Sequence, residues 1–206
     1  MINLYKDLLK KFNYQGWWPI YNSKTKKFEY HPKDYTYPKN DLQRLEICLG
    51  VILTQGTNWK NVEKALSNLI KNNLIDKEKL LKIPLNKLSL IIKSSGYHNQ
   101  KAKKIKEFIK FLQSKKEFTR ENLLNIWGIG KETADSILLY ACNKSYFVID
   151  NYTKRIFIKL GYCKENISYD ELQNLITKNI SKDFKIYNEF HALFVRYGKD
   201  LFNRNN

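Results

Sequence analysis

Cysteine is scarce in this 206-residue chain: Cys48, Cys142 and Cys163 are the only three. They lie far apart, and no Cys-x-x-Cys pair exists. A zinc ribbon or an iron–sulfur cluster therefore lacks its thiolate ligands, and no cofactor is expected. Three widely spaced thiols in apolar contexts read as reduced and mostly buried, as in a cytosolic protein. Long apolar runs are missing as well. The longest, Ile47 to Leu53, is far shorter than the roughly 20 residues that cross a bilayer. The opening residues, Met1 to Asp7, lack the layout of a secretory signal. The expectation is a cytoplasmic protein without a membrane partner. There is no low-complexity tract and no internal repeat. Acidic side chains are few, 20 against 37 Lys and Arg, and of the basic residues only Arg44, Arg120, Arg155, Arg196 and Arg204 are arginine.

A net charge of +17 survives that shortage of acids. Lysine, asparagine and isoleucine are all abundant, which a coding bias would produce, and a lysine-rich solvated surface is the plain reading. Coding bias does not explain why acids fail to keep pace. A nucleic acid is the natural partner for such an excess. With 43% hydrophobic and 14% aromatic residues, the composition is globular, and the length allows one or two domains with a real core.

Helical periodicity dominates the chain. Residues 2–12 place Leu4, Leu8, Leu9 and Phe12 on one face. Residues 14–40 lose the period and become rich in aromatics and proline, an ordered segment more than a linker. From Asp41 a helix apolar on most sides predicts a central, buried element. Further helices are expected over 58–71, 77–82, 85–93, 99–113, 120–126, 131–142, 151–160, 169–180 and 184–201. Thr119 and Asp150 sit where caps belong, and Ser168 with Glu171 forms a capping box. The expected fold is all-α, about ten helices, with no sheet worth naming.

Two features carry chemistry. The first is Ile126-Trp127-Gly128-Ile129-Gly130-Lys131-Glu132-Thr133-Ala134. A Gly-x-Gly turn that opens a helix lets a phosphate approach free backbone N–H groups at the positive end of a dipole. Gly128, Ile129, Gly130, Lys131 and Thr133 are the candidate DNA contacts, although most such turns only join helices. The second is Asp150. An N-cap accounts for it completely, yet a carboxylate held ionised at a helix N-terminus also activates water or stabilises a cation.

The run from Ile126 to Ala134, taken with Val148-Ile149-Asp150-Asn-Tyr-Thr-Lys-Arg-Ile156, resembles the helix–hairpin–helix plus Gly/Pro–Asp signature of the endonuclease III superfamily of DNA glycosylases. Leu49 to Gln55 and Gly96 to Ala102 resemble two further stretches of that superfamily. The resemblance runs from about 41 to 160. It implies two helical subdomains with a central cleft. One spans 41–145 and ends in the hairpin; the other combines 1–40 and 146–206. It implies that a damaged nucleotide is flipped from double-stranded DNA and its N-glycosidic bond cut, with Asp150 at the catalytic aspartate position. Gln55 matches the residue that fills the gap left by the flipped base, and a monovalent cation at the hairpin is compatible.

Two departures sharpen this expectation. Strand-cleaving relatives carry a lysine two residues after the second hairpin glycine, and here that position is Glu132. A carboxylate cannot form a Schiff base. The four-cysteine cluster motif of many relatives is also absent. With Trp17-Trp18-Pro19 and the short chain, Glu132 makes the sequence most similar to the small 3-methyladenine DNA glycosylase III group. That similarity implies a monofunctional enzyme, acting as a monomer, that excises N3-alkylated adenine. Its base pocket would involve Trp17, Trp18, Pro19, Glu132 and Lys199. Trp17 and Trp18 read equally as core residues, and Lys199 or Arg196 is the candidate partner of Glu132. The competing readings are a bifunctional oxidised-base glycosylase/lyase and a non-catalytic helix–hairpin–helix DNA-binding protein.

Overall fold

A computed structural model of the chain describes residues 1–202. Eleven α-helices account for most of them, as the periodicity predicts. The chain divides into two compact units, Met1–Thr36 with Asn143–Asn206, and Tyr37–Cys142.

The unit of residues 37–142 is built around α2 (Asp41–Thr54). Asn40 caps it by accepting a hydrogen bond from the Gln43 N–H at 2.9 Å. Every residue from Leu45 to Leu53 is buried, which is why this helix shows little amphipathic period. Around it run α3 (Trp59–Lys71), α4 (Lys77–Lys82), α5 (Leu85–Ile91), α6 (His98–Gln113), α7 (Arg120–Leu124) and α8 (Lys131–Ser136). The expected helix over 85–93 stops at Ile91, and a 3₁₀ turn follows at Lys93–Ser95. Gly96 leaves that turn at φ +69°, a conformation glycine adopts at no steric cost. The expected helix over 131–142 changes character midway. Beyond Ser136 it widens into a fully buried π turn, Ile137–Ala141.

Lys101 departs from the solvated lysine that a basic amphipathic helix implies. It is buried, and its ammonium donates to the Leu53 carbonyl at 2.8 Å and the Ser95 carbonyl at 2.6 Å. It thereby satisfies a carbonyl of the last turn of α2, which has no partner within the helix. Burial pushes its pKa down to about 8.

The other unit carries α1 (Ile2–Phe12), α9 (Asn151–Lys159), α10 (Tyr169–Thr177) and α11 (Phe184–Phe202). Its core is aromatic. Phe190 and Phe194 lie 4.4 Å apart, and Phe147, Phe157 and Tyr5 meet them edge-on at 5.3–5.9 Å. The Ser168–Glu171 capping box that opens α10 has both of its reciprocal bonds.

One small hairpin accompanies the helices of this all-α fold. Ile20–Asn22 (β1) and Lys27–Glu29 (β2) pair antiparallel, with Tyr21 opposite Phe28 and their rings 5.4 Å apart. Asn22 sets the turn: its side-chain oxygen accepts from the Lys24 N–H at 2.9 Å, and Lys26 takes φ +56°. Strands of three residues show no alternation that a sequence pattern would reveal.

Helices α9 and α11 pack with glycine between them. A Cβ built on Gly198 would stand 2.3 Å from Tyr152 Cδ1 and 2.8 Å from its Cβ, the inflexible root of that side chain. Gly198→Ala is expected to cost about 1–3 kcal/mol through overpacking. Thermal unfolding reads this directly, and an unchanged midpoint would show slack between these helices.

Candidate active site

Local sequence chemistry builds the hairpin. Thr119 caps α7, accepting from the Asn122 N–H at 3.1 Å. After Ile126, the chain turns at Gly128 with φ +80°, a left-handed conformation that favours glycine. Space is short there as well: a Cβ on Gly128 would meet the Lys104 side chain at 2.7 Å. Ile129 is buried and anchors the turn, whereas Gly128, Gly130, Lys131 and Glu132 are exposed. The glycine pair and its lysine therefore face solvent, as an anion site requires. Trp127 is also exposed, with the Lys103 ammonium 4.2 Å from its ring centre.

Gln55 belongs to the same unit and is held from both sides. Its Oε1 accepts from the Lys104 ammonium at 2.6 Å, and its Nε2 donates to Thr133 Oγ1 at 2.5 Å. Thr133 is buried under the first turn of α8. Lys104 thus serves twice, filling the space over Gly128 and fixing Gln55. Partial burial lowers its pKa. Sequence reading missed Lys104, because nothing local distinguishes it from its neighbours Lys101 and Lys103.

In the unit of residues 1–36 and 143–202, Asp150 caps α9. Its Oδ1 accepts from the Thr153 N–H and the Thr153 hydroxyl, both at 2.7 Å. The other oxygen is left to the side of the buried His191, whose Nε2 stands 3.8 Å away. Burial lowers the His191 pKa, and the Asp150 charge opposes the shift. One oxygen is fixed by the helix cap, and the other is the one nearest His191.

A cavity of about 310 Å³ opens in this unit. Trp17 and Tyr30 line it, their rings stacked at 5.3 Å and 25°. Gln15 borders them, and α11 contributes Ala192, Val195, Arg196 and Lys199. The Lys199 pKa is lowered, by burial first and by the neighbouring Arg196 charge second, with Asp150 opposing. Of the expected base-pocket residues, Trp17 and Lys199 therefore meet around one cavity. Trp18 and Pro19 are buried and do not line it. Glu132 lies in the other unit, as the second residue of α8. Tyr30 and Gln15 were not foreseen from sequence; Tyr30 reaches Trp17 only because the β1–β2 hairpin folds it back.

Among the described residues no group of His, Cys, Asp and Glu is placed to hold a metal ion. A four-iron cluster takes four thiolates, and the three cysteines of this chain do not fit it.

Comparison with known proteins identifies similar chains. A family model described as "HhH-GPD superfamily base excision DNA repair protein" matches residues 49–182. A relative from Methanocaldococcus jannaschii, named "Putative DNA repair glycosylase MJ1434", is 39% identical over 95% of this chain and 86% of its own. The crystal structure of H. pylori 3-methyladenine DNA glycosylase (MagIII) bound to 1,N6-ethenoadenine superposes with a TM-score of 0.76 at 33% identity, over 97% of this chain and 95% of that one. A non-covalent endonuclease III–DNA complex superposes at 0.77 over 95% of this chain and 83% of that one; at 18% identity, the likeness concerns the fold alone.

Proposed function

The chain belongs to the HhH-GPD superfamily of base excision DNA repair proteins and is a DNA glycosylase, and on that premise we propose that it removes N3-alkylated adenine without cutting the strand. The observation that carries this reading is the cavity walled by Trp17 and Tyr30 in the unit that holds Asp150. It stands in a chain similar over nearly its whole length to a 3-methyladenine glycosylase.

The chemistry suits the residues. Adenine alkylated at N3 is cationic while bound to sugar, and aromatic faces attract a cation by about 0.5–2 kcal/mol. Flipping such a nucleotide costs a few kcal/mol, least for a damaged pair. In this scheme Gln55 occupies the vacated space. Gly128, Ile129, Gly130, Lys131 and Thr133 hold the strand. Trp17, with Trp18 and Pro19 supporting it, receives the base.

The C1′–N9 bond then breaks, and its electron pair goes to the base, which leaves neutral and needs no acid. Asp150 stabilises the sugar oxocarbenium. Water adds at C1′, and its proton passes to Asp150 or to solvent. Glu132 offers no amine for a Schiff base, and Lys131, one residue earlier, is turned about 100° around the helix. The enzyme needs no cofactor and acts as a cytoplasmic monomer on double-stranded damaged DNA.

Incubation with methylated duplex DNA, followed by chromatography of the released bases, tests the proposal. Free 3-methyladenine, with no strand nicking and no borohydride-trapped adduct, is expected. A trapped adduct would mean a lyase. Salt-sensitive duplex binding with no released base would mean a non-catalytic DNA-binding protein.

A further inference from the structure

Glu189 is a charged residue with no place in the mechanism above. It lies on α11 and is fully buried. Its carboxylate accepts from the Gln15 N–H at 2.6 Å and from the Tyr35 hydroxyl at 3.3 Å, and the Gly16 N–H also bonds to it. All three donors come from the aromatic segment. A carboxylate taken out of water is costly unless such donors surround it. Burial pushes its pKa up and also raises that of Tyr5, to about 12, and that of Tyr35.

The segment is closed at the same point. Gly16 has φ +67°, and its carbonyl accepts from the His31 N–H at 3.0 Å. A Cβ on Gly16 would stand 2.3 Å from Pro32 N and 2.5 Å from the His31 carbonyl carbon. Trp17 and Tyr30 are the residues just inside this closure, and they stack on each other. The aromatic wall of the cavity is thus carried on a loop whose base is pinned to α11. The lining residues Ala192, Val195 and Lys199 are on α11 itself.

We propose that Glu189 is a positioning residue that sets the width of the base pocket, by fixing the Gln15–Gly16 backbone, and with it Trp17 and Tyr30, against the α11 wall. The pocket then discriminates between N3-alkyl groups by size, and this rests on the function proposed above. A leucine at 189 would leave the Gln15 and Gly16 N–H groups without their acceptor, and the loop would shift to satisfy them. A glutamine keeps one acceptor oxygen at the same place.

Glu189→Leu and Glu189→Gln are compared with wild type well below their unfolding midpoints. Excision of 3-methyladenine and of 3-ethyladenine from alkylated duplexes is measured together with duplex affinity. Acrylamide quenching is read in a Trp59→Phe/Trp127→Phe background, where only Trp17 and Trp18 report. Glu189→Leu is expected to lower methyladenine excision about tenfold to a hundredfold. It should narrow the preference for methyl over ethyl, raise quenching and leave duplex affinity unchanged. Glu189→Gln should restore most of each value. Wild-type quenching and wild-type preference in folded Glu189→Leu would overturn the proposal. Should that variant not fold, Gly16→Ala opens the same closure against backbone atoms, and wild-type values there overturn it equally. If wild type releases no alkylated base, the proposed function fails; the quenching comparison still decides whether Glu189 places the tryptophans.

Discussion

Asp150→Asn is expected to lower excision of 3-methyladenine by about a hundredfold or more while the fold and duplex affinity persist, the scale of losing one preorganised electrostatic group at a reacting centre. The substitution is nearly isosteric. Its side-chain oxygen can still accept from the Thr153 N–H and hydroxyl, both now 2.7 Å from Asp150 Oδ1. The cap on α9 therefore survives, and asparagine is as good an N-cap as aspartate. What disappears is the negative charge that, in the proposed mechanism, the sugar meets as the glycosidic bond stretches. Asp150→Ala separates the two roles: it removes both charge and cap, with a further stability loss of about 0.5–2 kcal/mol. Single-turnover excision, duplex anisotropy and thermal melts together distinguish these outcomes. Normal excision by Asp150→Asn would remove Asp150 from the mechanism. Loss of duplex affinity in parallel with excision would make its role one of structure.

The caps at Thr119, Asp150 and Ser168 were legible in the sequence because cap chemistry is local, a side chain bonding to an N–H two or three residues ahead. The helices were legible for the same reason: apolar spacing is a property of ten or fifteen neighbouring residues. The two short strands were not, since their pairing depends on an Asn22 turn inside an aperiodic aromatic stretch. Side chains that act over long separations were the least visible. Lys101 reads as one more solvated lysine until the Leu53 carbonyl, 48 residues earlier, is placed against it. Glu189 meets Gln15 across 174 residues. Trp17 and Trp18 are adjacent and chemically identical, so only the fold tells which one lines the cavity.

The ion pair between Arg120 and Asp135 carries the second large effect. Arg120 begins α7 and Asp135 lies near the end of α8, so the pair ties together the two helices that flank the glycine turn. Arg120 Nε donates to Asp135 Oδ1 at 2.7 Å, and Nη2 donates to Oδ2 at 3.2 Å, a forked geometry that lysine cannot copy. The Asp135 side chain has no solvent exposure, whereas Arg120 keeps a quarter of its own. Breaking a buried pair from one side typically costs about 3–5 kcal/mol, because a charge is left in a medium that cannot solvate it. The partial exposure of Arg120 puts Arg120→Leu at the lower end, about 3 kcal/mol in urea unfolding. Arg120→Leu/Asp135→Asn should recover a large part of that loss, since the second substitution removes the buried charge that Arg120 opposed. If the single and double variants unfold at the same denaturant concentration, the pair contributes through packing and not through charge. If Gly128 and Gly130 bind a phosphate as proposed, Arg120→Leu should also weaken duplex binding, because both helices hold the turn that carries them. The double variant should regain binding in step with stability, and recovery of one without the other would separate the hairpin's shape from its support.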